Sequence, residues 1–319
     1  MREALSRYTE CVSAADTGVA GIPKSDAGEN SGMNSSHSRA HLEAFSAVVM
    51  MGTVPVVIKW MQAGPWVIGF IRLVIALSLL LLLFPKAREF RGLKWRDWRI
   101  LGVIGLVFGL HWVTYFFAIK LSSASLAAIG TVSMYGIFLS LMGAIFLAHR
   151  VRWYHVAAIG LSIVGTMLVV GEFTPGSGGL LGFLFAVISG FLYALLPILH
   201  QRTPHLSSMQ RTTGQYGGGL LVFMLAIPFG DWQLSTSDWW CLLYLGTVAT
   251  LALQTLWVLA TSVLPSTTSS LIYYLYVPIA VILSYLILGE TLSLSQIIGA
   301  LIVFSGSLLG MLGGRFGAN

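Results

Sequence analysis

The chain has 319 residues, 56% of them hydrophobic and only 9% charged, with a mean hydropathy of +0.82. Soluble domains carry about 25% charged residues, so a water-soluble core hiding this much apolar sequence is excluded, and the bilayer is the solvent. The net charge of +6 is spread over loops rather than gathered on one face, which excludes a nucleic-acid footprint, and Cys11 and Cys241 lie in such different surroundings that no disulfide is expected.

Residues 1–42 are polar and rich in Ser, Gly, Ala and Asn, a composition that predicts a disordered tail. An apolar h-region is missing, so no signal peptide is expected. The acidic residues Glu3, Glu10, Asp16, Asp26 and Glu29 argue against a transit peptide. From His41 onward come ten apolar stretches, near 43–61, 66–84, 98–119, 123–147, 153–171, 179–199, 213–230, 239–262, 267–288 and 293–312. Each suits a helix crossing about 30 Å of hydrocarbon. Barrel strands would instead alternate over about ten residues.

Span 1 ends near Lys59, whose long stem lets the ammonium reach the interface. Span 2 holds Arg72. A cation at that depth costs at least about 2.5–3.5 kcal/mol. Arg72 therefore either attracts an anionic group of a solute or is satisfied by a neighbouring helix. Span 3 contains Gly105 and Gly109 at the spacing that permits close helix contact. Near its middle sits His111, with Trp112 beside it and Tyr115 one turn later on the same face. A histidine there is either a packing residue or part of a pathway, and its titration near neutral pH makes it the candidate for a coupling proton. Lys120, at the span end, is expected to snorkel.

Span 6 repeats the small-residue spacing at Gly182, Ala186 and Gly190 and carries Tyr193 and Pro197. Span 7 is weakened by Gly217-Gly218-Gly219 and Pro228, which suits either a hinge or a packing groove. In span 8, Gln254 and Trp257 share a face. Span 9 carries Tyr273, Tyr274, Tyr276 and Pro278. Tyr193 and Trp257 lie inside their spans, away from interfacial belts, and suit an aromatic-lined cavity. The substrate-binding candidates are thus Arg72, His111, Tyr115, Tyr193, Gln254, Trp257 and Tyr274.

Spans 9 and 10 meet at Gly289-Glu290-Thr291-Leu292-Ser293. Ser293 and Gln296 read as a capping box for span 10. Glu290 then precedes a helix N-terminus, where negative charge is favoured, so its expected role is structural. The segment Ser266–Gly313 has the layout of Ser123–Val170: laying His149 on Glu290 also brings Gly165 onto Gly306. Lys86, Arg88, Arg91, Lys94, Arg96, Arg99, Arg150, Arg152, Arg202, Arg211 and Arg315 fall on one side of the span pattern. Glu172, Asp231, Asp238 and Glu290 fall on the other, with Lys120 as a nearby cation. By the positive-inside rule both termini are cytoplasmic. With five spans per half, the repeat is inverted, as in many secondary transporters.

Pro278, Leu288-Gly289-Glu290, Gly299 and Gly306, supported by Gly52, Lys59, Arg72 and the run Leu121–Ala128, resemble the drug/metabolite transporter superfamily, in particular the ten-span EamA-like permeases. The resemblance covers residues 43–312. It implies an all-α integral membrane fold, a first repeat at 43–171, a second at 179–312 and a short cytoplasmic tail at 313–319. It also implies an exporter of small metabolites or drugs working by alternating access around a central cavity. Two departures mark the first repeat as the more diverged: Ala148-His149 replaces the Gly-Glu step, and span 4 lacks a counterpart to Pro278.

Enzyme signatures such as His-Glu-x-x-His, Gly-x-Ser-x-Gly, a Walker loop or paired intramembrane aspartates are missing. So are channel-type filter loops and charged rings. No catalytic residues, metal or cofactor are expected. The expected partners are a small-molecule solute and the lipid bilayer of the plasma (inner) membrane, with protons as candidate coupling ion, a homodimer as candidate assembly and no nucleic acid. An importer or exchanger of an anionic or nucleotide-sugar-type solute is the alternative, motivated by Lys59, Arg72 and Lys120. An intramembrane enzyme is the remote one.

Overall fold

The computed structural model describes residues 29–146, 153–170, 178–203, 205–254, 256–257, 260, 272–273 and 275–316. Among these residues there are helices and turns but no strand. The His149 position and the candidate Tyr274 lie outside them.

Helix α1 (Glu29–Trp60) begins well before the predicted span. Residues 29–42, which composition predicts as part of a tail, fall within this helix. The reason is a concealed stripe: Ala40, Ala44, Ala47 and Val48 recur at helical spacing and are all buried. Arg39 also pairs with Glu43 one turn on, at 3.0 Å. Helix α2 (Pro65–Leu83) opens on a proline, whose missing N–H costs nothing in a first turn. Next come α3 (Trp95–Leu121), α4 (Ala124–Phe146), α5 (Trp153–Val170) and α6 (Gly178–Gln201).

Helix α7 (Ser208–Met224) starts earlier than predicted, because Ser207 and Gln210 form a capping box. It also ends earlier, in a 3-10 turn at Ile227–Phe229, since Pro228 cannot continue a helix. Helix α8 (Thr236–Gly246) widens into a π-helical stretch, Thr247–Ala252. Helix α9 (Tyr276–Leu283) carries Pro278 in its first turn and ends in a second π stretch, Ser284–Leu288. Gly289 closes it at φ 67°, a left-handed conformation that glycine adopts without strain. Helix α10 (Leu294–Phe316) is opened by Ser293 and Gln296, each side chain bonded to the other's backbone N–H at 3.1 Å.

Four of the described helical segments are long and apolar enough to cross a membrane: Arg39–Trp60, Pro65–Leu83, Trp95–Leu121 and Gly178–His200. Exposed Ile163, Val164 and Met167 on α5 and Leu286 and Leu301 on α9 and α10 give the outside an apolar surface suited to lipid.

The packing crosses between the halves of the chain. α3 lies against α6 and α7, α4 against α6, and α5 against α10. In return α8 lies against α1 and α2, and α9 against α1. Gly105 on α3 meets the backbone of Gly218 on α7, so the glycine run of α7 serves as a packing groove. A β-carbon at Gly105 would also stand 2.7 Å from the Gly214 carbonyl oxygen. Gly105→Val is therefore expected to destabilise the protein by about 1–3 kcal/mol through overpacking. Gly102, on the same helix, has nothing within 4 Å of its β-carbon position, and Gly102→Val should be close to neutral. Thermal unfolding of both variants in detergent checks this, and an equal loss at the two positions would contradict the close-contact account.

Candidate functional site

A cavity of about 250 Å³ is lined by side chains from both halves of the chain. Arg72, His111, Tyr115, Tyr193, Gln254 and Trp257, six of the seven sequence-derived candidates, all line it. His111, Trp112 and Tyr115 reach it from α3 because their spacing puts them on one side of that helix. Residues that the sequence reading did not select also line it: Thr131 and Tyr135 on α4, His200 on α6, Gln215 and Tyr216 on α7, and Tyr273 and Tyr276 around the start of α9. Tyr135 sits inside its span as Tyr193 does, so the same depth criterion would have found it.

Arg72 is 3% exposed, and no acidic side chain is among its hydrogen-bond partners. Its Nε donates to Thr250 Oγ1 at 2.5 Å and Nη2 donates to the Ala249 carbonyl at 3.4 Å. Both acceptors lie in the π stretch of α8, and such stretches often coincide with functional sites. The guanidinium carbon stands 3.8 Å from the centre of the Trp112 ring, a cation–π contact. Nη1 is buried and has no hydrogen-bond partner.

From there a train of rings crosses the cavity. His111 stacks on Tyr193 with centroids 4.7 Å apart. Tyr193 meets Tyr135 at 5.2 Å, Tyr135 meets Tyr273 at 5.8 Å, and Tyr273 meets Trp257 at 5.6 Å. The Tyr115 and Tyr276 hydroxyls hydrogen-bond to each other. His111 Nδ1 lies 2.9 Å from Ser189 Oγ and 3.0 Å from the Ser189 carbonyl oxygen, which fixes the ring plane.

At one end of the bundle, charged side chains cap helices other than their own. Lys59 Nζ donates to the carbonyls of Ile119, Lys120 and Ser122 at 3.0, 3.3 and 2.7 Å. Lys120 Nζ donates to the Met61 carbonyl. The expectation that these lysines snorkel is therefore corrected: both ammonium groups are held by C-terminal carbonyls, which in an apolar medium need a donor. Neither lines the cavity. Glu290 also differs from expectation. It caps α4, not α10: Oε1 accepts from Ala124 N at 2.8 Å, and Oε2 accepts from Ser125 N and Oγ at 3.0 and 2.9 Å. The left-handed turn at Gly289 swings it there. Asp238 Oδ1 accepts from Gln62 N at 2.9 Å and Ala63 N at 3.4 Å, while Oδ2 accepts from Ser235. Among the described residues no group of three or more His, Cys, Asp or Glu is gathered for a metal ion.

Two stretches of the chain, residues 38–171 and 180–312, each match the model of the EamA-like transporter family. The chain belongs to the EamA-like transporter family. It is similar to an uncharacterized transporter of Bacillus subtilis (strain 168), YxxF, at 23% identity over 280 residues, covering 85% of this chain and 89% of that one. Among solved structures, one described only as "Crystal structure of protein" superimposes with a TM-score of 0.60 at 17% identity, covering 86% of this chain and 98% of the other. That likeness shows the fold. EamA-like membership makes the chain a membrane transporter by family and points away from an enzyme.

The end network carries a pH signature. Burial raises the Asp238 carboxyl, but hydrogen bonds from Ser235, Gln62 and Ala63 outweigh it and hold the pKa below the usual carboxylate value. A depressed folded-state pKa stabilises the protein above the unfolded value, about 3.9. That contribution is lost as pH falls through the folded value. Melting temperature should therefore fall in this acid window, and the fall should be shallower in Asp238→Asn. Parallel acid limbs in the two proteins would count against this role.

Proposed function

We propose that this EamA-like transporter is a secondary active exporter that moves a small metabolite or drug-like solute by alternating access. The two five-helix halves, related by an inverted repeat, would rock about the cavity in the plasma (inner) membrane, with both termini cytoplasmic. The observation that carries the reading is the cavity itself: both halves line it, and it lies apart from the capped end. On the other side its walls run through His200 on α6 and Gln215 on α7, and the connection between these helices lies between Arg202 and Arg211. Under the positive-inside rule that side is cytoplasmic, so an opening there would load solute from inside.

Two further observations support the inverted repeat. The family model matches twice at nearly equal length. The packing is also reciprocal, since the third helix of each half lies on the first two of the other, and the fourth on the first. The volume is below the roughly 300–1,000 Å³ of drug-sized ligand sites, which favours a small solute. Lys59 and Lys120 are committed to helix ends, so of the three cations that motivated a nucleotide-sugar exchanger only Arg72 lines the cavity.

The deciding experiment compares cells with and without the protein, loaded with labelled metabolites and toxic analogues at two external pH values. At least one solute class should accumulate less when the protein is present, and Tyr193→Ala, Gln254→Ala and Trp257→Ala should each reverse this. If no solute is affected, or the three variants behave as the unaltered protein does, the reading is wrong. His111→Gln should abolish the pH response while solute binding persists. Loss of both together would leave His111 a contact residue only.

The capped end supplies a second test. Glu290→Gln weakens a charge-assisted cap worth about 1.5–3 kcal/mol, so closure on that side should loosen about tenfold. In a protein with Cys11 and Cys241 replaced by serine, a cysteine substituted for the buried Val54 should then react faster with an impermeant maleimide from outside. An unchanged rate would remove Glu290 from the closure.

A further inference from the structure

We infer that the transported solute is a small organic acid: a carboxylate-type monoanion on an aromatic or flat apolar body, its charge read by Arg72. The inference rests on the transport reading above and adds to it a class of solute.

The argument begins with the whole sequence. The chain has 12 acidic residues. They are Glu3, Glu10, Asp16, Asp26, Glu29, Glu43, Glu89, Asp97, Glu172, Asp231, Asp238 and Glu290, and they fall in the tail, in loops or at span ends. Glu43 is taken by Arg39, Asp97 by the Lys94 backbone and His205, and Glu290 by the start of α4. The interior of the spans therefore contains no carboxylate to neutralise Arg72, which never loses its proton at physiological pH.

What surrounds Arg72 satisfies it incompletely. Thr250 Oγ1 and the Ala249 carbonyl take two of its donors, and the Trp112 face takes the guanidinium plane. Nη1 is left buried without a partner on a residue that lines the cavity. A cation with only a structural task would have its donors filled, because an unmet donor in an apolar medium is costly. A planar carboxylate supplies the missing acceptor and the missing charge together, and guanidinium matches it in shape. Tyr115, Tyr216 and Tyr276 lie within electrostatic reach of the same guanidinium. The Tyr115–Tyr276 hydroxyl pair retains one O–H proton that the pair itself does not use.

The rest of the cavity fits the rest of such a molecule. The ring train from His111 through Tyr193, Tyr135 and Tyr273 to Trp257 offers faces and edges to a flat body. The same cavity disfavours an amine. Its walls carry no acidic side chain among the described residues, and the fixed charge of Arg72 repels a cation. An amino acid should bind less well than the acid that lacks its ammonium.

The test uses the full chain, purified in detergent and in proteoliposomes, with matched probes. Phenylacetate, benzoate and indole-3-acetate are set against the corresponding neutral amides, phenethylamine and phenylalanine. Binding is read by tryptophan fluorescence, with Trp112 and Trp257 at the cavity, and transport by counterflow. The acids should bind roughly 5–15-fold more tightly than their amides, the advantage of a charge-assisted over a neutral contact, and the amine weakest. Arg72→Gln should erase the acid-over-amide ratio without weakening amide binding, and Arg72→Lys should restore part of it. Should Arg72→Gln fail to fold, the probe series on the unaltered chain still decides. Equal or better binding of amides or amines overturns the inference and leaves the transport reading standing. Failure of every probe class to bind or move overturns both.

Discussion

In hydrocarbon a helix end is a set of unmet backbone groups, and a charge is an unmet ion. At one end of this bundle the chain meets both needs with the same contacts. Lys59 and Lys120 sit on helix C-terminal carbonyls, where the helix dipole favours a cation. Glu290 sits on the N-terminal amides of α4, where it favours an anion. None of the three caps its own helix. Each contact therefore ties two segments together, and Lys59 and Glu290 also lie within electrostatic range of each other. Asp238 does the same for the link between α1 and α2.

Much of the fold was legible because membrane solvation is a blunt constraint. Apolar run length locates spans without any knowledge of neighbours, and the four segments long and apolar enough to cross a membrane, Arg39–Trp60, Pro65–Leu83, Trp95–Leu121 and Gly178–His200, fall on predicted stretches. Boundaries failed where a small number of residues override composition. A lone Ala40 does not register as an apolar run, yet it is buried in α1 ahead of the predicted span. Pro228 and the Ser207–Gln210 box moved α7 as a block. The π stretches of α8 and α9 left no trace in hydropathy, because widening a helix by one residue per turn leaves its apolar content unchanged.

The cavity was legible through depth. An ionisable or aromatic side chain far from both ends of an apolar run has few reasons to be there, and that argument led to Arg72, His111, Tyr193 and Trp257. Partner choice was not legible. Nothing local predicts that Arg72 reaches Thr250 and Ala249, because these belong to a different half and to a π stretch. Glu290 illustrates the same limit. Its role as a cap followed from Gly289 and the helix start beside it, but the helix that it caps lies 166 residues away in sequence. Local chemistry names the need of a group; only packing names the partner.

That distinction bears on how the two halves differ. On the inverted-repeat reading, each half contributes an equivalent junction at opposite ends of the bundle, and a perfect repeat would make the two closures alike. Here the second half carries Gly289-Glu290 and the first Ala148-His149. A glutamate side chain has two oxygens that accept backbone N–H groups, as Glu290 does at the start of α4, whereas a histidine ring offers at most one acceptor. On that reading, divergence at this pair would shift the balance between closure at one end and closure at the other, since such an equilibrium shifts by only the difference in contact energy between its states.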